Sequence, residues 1–155
     1  LISDATGIIS LSRTGRLYLL KELFKTVIIP EHVKKEVLVE GKEGFPEISK
    51  AIEDGWLKIA ATKKRMELGL GDGETDALSL AKETNDALIL DDSIAVRAAK
   101  VLSIPTIRTT TVVFMAVKKG LINKDEAIHI LNSLIEAGYY ISTVHYSAIL
   151  TKLKE

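Results

Sequence analysis

Residues 87–90, Ala-Leu-Ile-Leu, are apolar at every position and stop abruptly on Asp91 and Asp92. A strand with one face in water alternates polar and apolar residues, whereas an unbroken apolar run is covered on both faces. Two covered faces call for helices on either side of a sheet, so this run points to an α/β chain. The other patterns agree. Short aliphatic or β-branched runs near residues 1–4, 26–29, 56–59 and 105–108 alternate with helical periodicities. That alternation favours right-handed crossovers and a parallel sheet. From about residue 109 only helical patterns follow, so a helical C-terminal tail is expected to pack on one side. The 155 residues contain no internal repeat, low-complexity tract or linker, and a single domain over 1–155 is expected.

The segment that feeds the apolar run carries the chemistry. Gly71 and Gly73 mark a turn, and Asp72 is expected to cap the helix that follows. Ala77, Leu78, Leu80 and Ala81 form its apolar stripe. At about 100° per residue Glu74 falls on that side, while Asp76 lies roughly 200° away with Ser79 and Glu83. Glu74 is therefore expected to point inward and Asp76 to be solvated. A carboxylate aimed at a core is costly unless something positive meets it. Asp91 and Asp92 lie at the carboxyl end of a strand, where open α/β sheets bind ligands.

Asp4 closes the first strand and has two readings, helix N-cap or site acid. Pro30 opens a helix expected over 31–40, on which His32, Glu36 and Glu40 share a face. That face is either solvated or metal-binding. Lys63, Lys64 and Arg65 form either a solvated face or part of a rim for phosphates. His129 and His145 sit in apolar helices and read as core or surface residues rather than ligands.

Lys+Arg and Asp+Glu both number 21, so bulk charge does not make this a coat for nucleic acid, although a local basic rim is compatible. The absence of cysteine excludes disulfides, thiol nucleophiles and cysteine-bound zinc, and fits a reducing, cytoplasmic compartment. No run is long enough to span a bilayer. The chain begins at Leu1 without a methionine, so a residue or two upstream is expected.

If the first and fourth strands are neighbours, Asp4, Asp91 and Asp92 meet at one sheet edge, and Glu74 lies one helix away. Such a group of like charges needs a cation. All-oxygen ligation selects Mg2+ or Mn2+ over zinc, and the natural reaction is in-line phosphodiester hydrolysis. No phosphate-cradling GxxxxGK[ST] run and no Ser-His-Asp arrangement is apparent.

Four segments in order resemble the PIN domain, the nuclease fold of VapC-type toxins, and in particular a stand-alone prokaryotic subgroup. They are Ser-Asp-Ala-Thr-Gly at 3–7, Ile-Pro-Glu-His-Val-Lys-Lys-Glu-Val at 29–37, Leu-Gly-Asp-Gly-Glu-Thr-Asp-Ala-Leu-Ser-Leu-Ala at 70–81 and Leu-Ile-Leu-Asp-Asp at 88–92; the likeness continues through 116–122. The resemblance implies a three-layer fold with about five strands ordered 3-2-1-4-5. It implies an Mg2+- or Mn2+-dependent endoribonuclease, commonly a toxin silenced by a small antitoxin protein. Catalytic acids carried over are Asp4, Glu36, Glu74 and Asp92. The implied metal ligands are Asp4, Glu74, Asp91 and Asp92, with Asp91 competing with Asp92 for the fourth acid position and Thr6 and Thr109 in support. Many members have a further acid two residues after the fourth, where this chain has Ile94. That departure favours the alternative of an RNA-binding or regulatory module without the chemistry. A phosphatase is a third reading, set back by Thr6 where such enzymes need a second acid. A homodimer is expected, with Val112, Val113, Phe114 and Met115 either on its face or in the core.

Overall fold

β1 (Ile2–Ser3), β2 (Val27–Pro30), β3 (Leu57–Ala60), β4 (Leu88–Ile89) and β5 (Thr106–Ile107) form one sheet in a computed structural model that describes residues 1–155. All neighbours are parallel and the order is β3-β2-β1-β4-β5, as the resemblance implied. The strands are shorter than the apolar runs that announce them.

Between β1 and β2 lie α1 (Ala5–Arg13) and α2 (Tyr18–Phe24); between β2 and β3 lie α3 (Glu31–Val37) and α4 (Phe45–Glu53). α5 (Asp72–Thr84) connects β3 to β4, and α6 (Ser93–Val101) connects β4 to β5. The tail is α7 (Thr109–Lys118), α8 (Lys124–Glu136) and α9 (Thr143–Lys154).

Alternation along the strands divides the interior in two, because successive side chains point to opposite faces. Val27, Ile29, Leu57 and Ile89 join the larger apolar cluster with α1, α2, α3, α4 and the tail. Ile2, Leu88 and Leu90 join the smaller one with α5 and α6. This is the three-layer arrangement that an unalternating strand demands.

Several local expectations change. α3 ends at Val37, where Leu38 leaves helical geometry, so Glu40 is off the face shared by His32 and Glu36. Gly71, not Asp72, occupies the N-cap of α5; Asp72 is the first helical residue and pairs with Arg65. The N-cap of α7 is Arg108, and the Thr109 hydroxyl donates to Asp91. Val112 and Val113 are fully buried in the larger core, which accounts for them without a second copy, while Phe114 and Met115 are half-buried. No helix is long and apolar enough to cross a membrane.

Candidate metal centre and cleft

Register brings the ends of β1 and β4 together. Ser3 pairs with Ile89, and the Asp4 N–H donates to the Ile89 carbonyl at 3.0 Å. Asp4 and the Asp91–Asp92 pair therefore leave the same edge of the sheet. Asp4 is at the N-cap position of α1, yet its side chain caps nothing. It is only 6% exposed. Burial pushes its carboxyl up to about 7; the Ala5 N–H opposes this, and the charges of Glu74, Glu36 and Asp91 add to it.

The other acids reach this edge from different elements. Glu74 is half-buried in the first turn of α5, and burial raises its carboxyl first, then the charges of Asp92 and Glu36. Glu36 comes from α3, which packs on α5. Its carboxyl is raised by burial, lowered by His32 and raised again by Asp72. Its carboxylate lies over Gly73: a Cβ there would fall 2.1 Å from Glu36 Oε1. A Cβ at Gly71 would lie 3.3 Å from Glu74 Oε1. The two glycines thus leave room for the carboxylates of Glu36 and Glu74, a role the sequence reading assigned only to a turn.

Asp91 and Asp92 differ. Asp91 accepts from the Thr109 N–H at 3.0 Å, the Thr109 hydroxyl at 2.6 Å and the Tyr139 hydroxyl at 2.5 Å, while Arg108 holds its carbonyl at 2.6 Å. Burial, then the Asp91 charge and hydrogen bond, raise the Tyr139 hydroxyl. Asp92 is exposed and accepts the Ala95 N–H at 2.9 Å as the N-cap of α6. Thr109 is fully buried beside Gly7, where a Cβ would meet its hydroxyl at 3.1 Å. Thr6 is exposed and makes no hydrogen bond to Asp4. Tyr139 and Arg108 were missed by sequence reading, since each acts on Asp91 from a distant segment.

None of the five acids has an ion pair. No three acidic or histidine side chains lie close enough together to hold a metal ion between them. The donor set nonetheless fits a hard divalent cation in kind: oxygen ligands alone, mutually repelling, with one of them nearly buried.

Asp76 contradicts its expectation. It is 5% exposed and bonds to His32 and, at 2.6 Å, to Arg65. Burial raises its carboxyl, but the hydrogen bonds and charges of His32 and Arg65 outweigh this and the net shift is down. The reason is that α5 is buried around most of its girth, by α3 on one side and the loop 61–71 on another. Arg65 is accordingly a latch onto Asp76 and Asp72, while Lys63 and Lys64 are exposed.

Beside the acids opens a cleft of about 940 Å3, lined by Thr6, Ser10 and Arg13 of α1 together with Asp91, Asp92, Tyr140 and His145.

The whole chain, residues 1–155, matches a family profile described as DUF3368, a PIN domain. The fold is similar to that of a PilT N-terminus domain protein, SSO1118, from the hyperthermophilic archaeon Sulfolobus solfataricus P2, with a TM-score of 0.52 and 17% identity over 72% of this chain and 88% of that one. No curated protein matches the sequence.

Proposed function

Because the chain belongs to the PIN-domain family, a nuclease fold family, we propose that it is a divalent-metal-dependent endoribonuclease. The observation that carries this reading is Asp4: nearly buried, uncapping, without a cation partner and surrounded by the charges of Glu74, Glu36 and Asp91. Leaving such a carboxylate uncompensated is unfavourable for folding alone, and strongly perturbed acids mark functional sites.

Asp4, Glu74 and Asp92 are the residues assigned to hold the ion, with Glu36 adding charge from α3. Asp91 is the competing ligand. Its oxygens already accept three hydrogen bonds, which favours a role in fixing the β4–α6 turn. Thr109 supports that turn through Asp91, and Thr6 stands at the wall of the cleft. When bound, Mg2+ or Mn2+ polarises the phosphate and lowers the pKa of an attacking water. The protein's own part is to hold the acids in register across β1, α3, α5 and β4, and to keep Asp4 away from bulk water.

The reading extends to a toxin held by a small antitoxin protein, and to a homodimer that light scattering would test. A second reading, an RNA-binding module without catalysis, is favoured by Ile94 at a position where many members carry an acid, and by the lack of a closed ligand set. Incubation of single-stranded and structured RNA with wild type, Asp4→Asn and Glu74→Gln, with Mn2+ or EDTA, separates them. Cleavage by wild type alone, abolished by EDTA, is expected. RNA bound but uncut under every condition would leave the binding module standing.

A further inference from the structure

We propose that Tyr139, in the turn between α8 and α9, is a positioning residue for the metal centre: its buried hydroxyl holds Asp91 and thereby sets where Asp92 offers an oxygen to the ion. The proposal rests on the metal-dependent reading and extends the site from the sheet edge into the helical tail.

Local sequence fixes the direction of this side chain. α8 ends on Glu136, and Ala137 is its C-cap. Gly138 follows with φ +102°, a left-handed conformation that suits glycine. The Gly138 N–H donates to the Ile135 carbonyl at 3.0 Å, and the Tyr139 N–H donates to the Leu134 carbonyl at 2.9 Å. This pair of bonds is a Schellman ending, which closes the helix and satisfies its last carbonyls. Tyr139 and Leu134 both lie in the larger apolar core, so packing holds the ring.

The far end of that ring meets a charge. Tyr139 is 7% exposed, and its hydroxyl donates to Asp91 Oδ1 at 2.5 Å. Burial and the Asp91 charge keep the hydroxyl protonated, so it stays a donor at any working pH. The Thr109 hydroxyl donates to the other oxygen at 2.6 Å, and the Thr109 N–H donates to Oδ1 at 3.0 Å. Asp91 is thus held from α7 and from the tail at once, with no cation on its carboxylate. Asp92 is one planar peptide unit away. Its Oδ1 accepts the Ala95 N–H at 2.9 Å, its other oxygen has no protein partner, and its charge reaches Glu74. A shift of Asp91 would swing that open oxygen relative to Asp4 and Glu74. Packing calls only for the ring, whereas the hydroxyl bonded to Asp91 gives the turn its direction. Outer groups that orient metal ligands change metal affinity about 10–100-fold when removed.

The test compares Tyr139→Phe with Tyr146→Phe. Each removes one hydroxyl from the tail and keeps the ring. The Tyr146 hydroxyl donates to Asn132 at 2.6 Å, between α9 and α8, and bonds to none of the acids. Mn2+ affinity of the full chain is read at pH 8, without RNA, from the electron paramagnetic resonance signal of the free ion. Tyr139→Phe is expected to weaken it about tenfold or more, and Tyr146→Phe to leave it unchanged. Melting in EDTA reports separately what each hydroxyl adds to folding. Hydrogen exchange of wild type, read by mass spectrometry, needs no variant. By reciprocal coupling, added Mn2+ should slow exchange at residues 138–140 more than at the C-terminal end of α9. Mn2+ affinity untouched by Tyr139→Phe, an equal loss in Tyr146→Phe, or no selective slowing of exchange would overturn the assignment and leave the nuclease reading standing. Wild type that binds Mn2+ as expected but cuts no RNA would overturn the nuclease reading alone, and wild type that binds no Mn2+ would overturn both.

Discussion

A single carboxyl group, Asp4, concentrates the physical tension of this molecule. It is placed by a strand end, denied a role as helix cap, and pushed up to about 7 by burial and by neighbouring acids. In the unfolded chain it titrates near 3.8. The folded state therefore holds the proton more tightly, so this group's contribution to stability is full below pH 4, declines as pH rises from about 4 to 7, and is level above that. Asp4→Asn removes the decline. In EDTA at pH 8 the variant should be more stable than wild type by about 2–4 kcal/mol at 1.36 kcal/mol per unit, raising Tm by roughly 4–16 °C. Equal melting temperatures at pH 8 would contradict this. Gly73 offers a second residue-scale separation. Its added Cβ would press on the far end of Glu36, a flexible and exposed side chain, rather than on backbone. Gly73→Ala should change stability by less than about 1 kcal/mol, in the stabilising direction if at all. RNA cleavage should nevertheless fall, because Glu36 is displaced from α5. Denaturant melts alongside initial cleavage rates would reveal a purely structural effect if the two moved together.

At the scale of elements, α5 shows what a sequence pattern can and cannot carry. The five strands, their parallel sense and the covering helices follow from short apolar runs alternating with helical periods. The inward lean of Glu74 follows from the helical wheel. The same wheel put Asp76 in water, since periodicity recognises burial only through apolar residues. A buried acid satisfied by His32 and Arg65, from positions 44 and 11 residues away, reads as polar surface. The anchoring of Asp91 by Tyr139, 48 residues on, is hidden for the same reason. The Asp76 network clamps α3, the loop 61–71 and α5 together, and so sets the spacing of Glu36 and Glu74. Asp76→Asn weakens the bonds to His32 and Arg65 while the site stays buried, and should lose about 1–3 kcal/mol at pH 7. Because the native carboxyl is held below its ordinary value, its contribution is present above about pH 4 and is lost as pH falls through the depressed value. Urea melts of the two proteins should therefore converge toward acid pH. A gap that persisted there would point to packing rather than charge.

The whole molecule explains how acids numbered 4, 36, 74 and 92 come to face one edge of the sheet, as the proposed function requires. With β1 between β2 and β4, the first strand's end lies beside the fourth's, and α3 and α5 pack on each other while each also touches β2. No local segment holds more than a fragment of this site, so an ion that binds it binds the native fold and not the unfolded chain. Mass action then stabilises by about 2.7 kcal/mol at a hundredfold excess over Kd, or roughly 5–10 °C in a chain of this size. The proton on Asp4 competes with the ion, because a ligand carboxyl must be ionised. The rise in Tm on adding Mn2+ should accordingly be small near pH 5.5, grow toward pH 7, and flatten beyond it. Asp4→Asn should show no such rise at any pH, although it is the more stable protein without metal. That reversal, in which the variant leads in EDTA and wild type gains alone in Mn2+, distinguishes a site that accepts an ion from a fold that carries buried charge for no purpose. A Tm shift in Mn2+ that is equal in the two proteins, or independent of pH, would place the ion elsewhere.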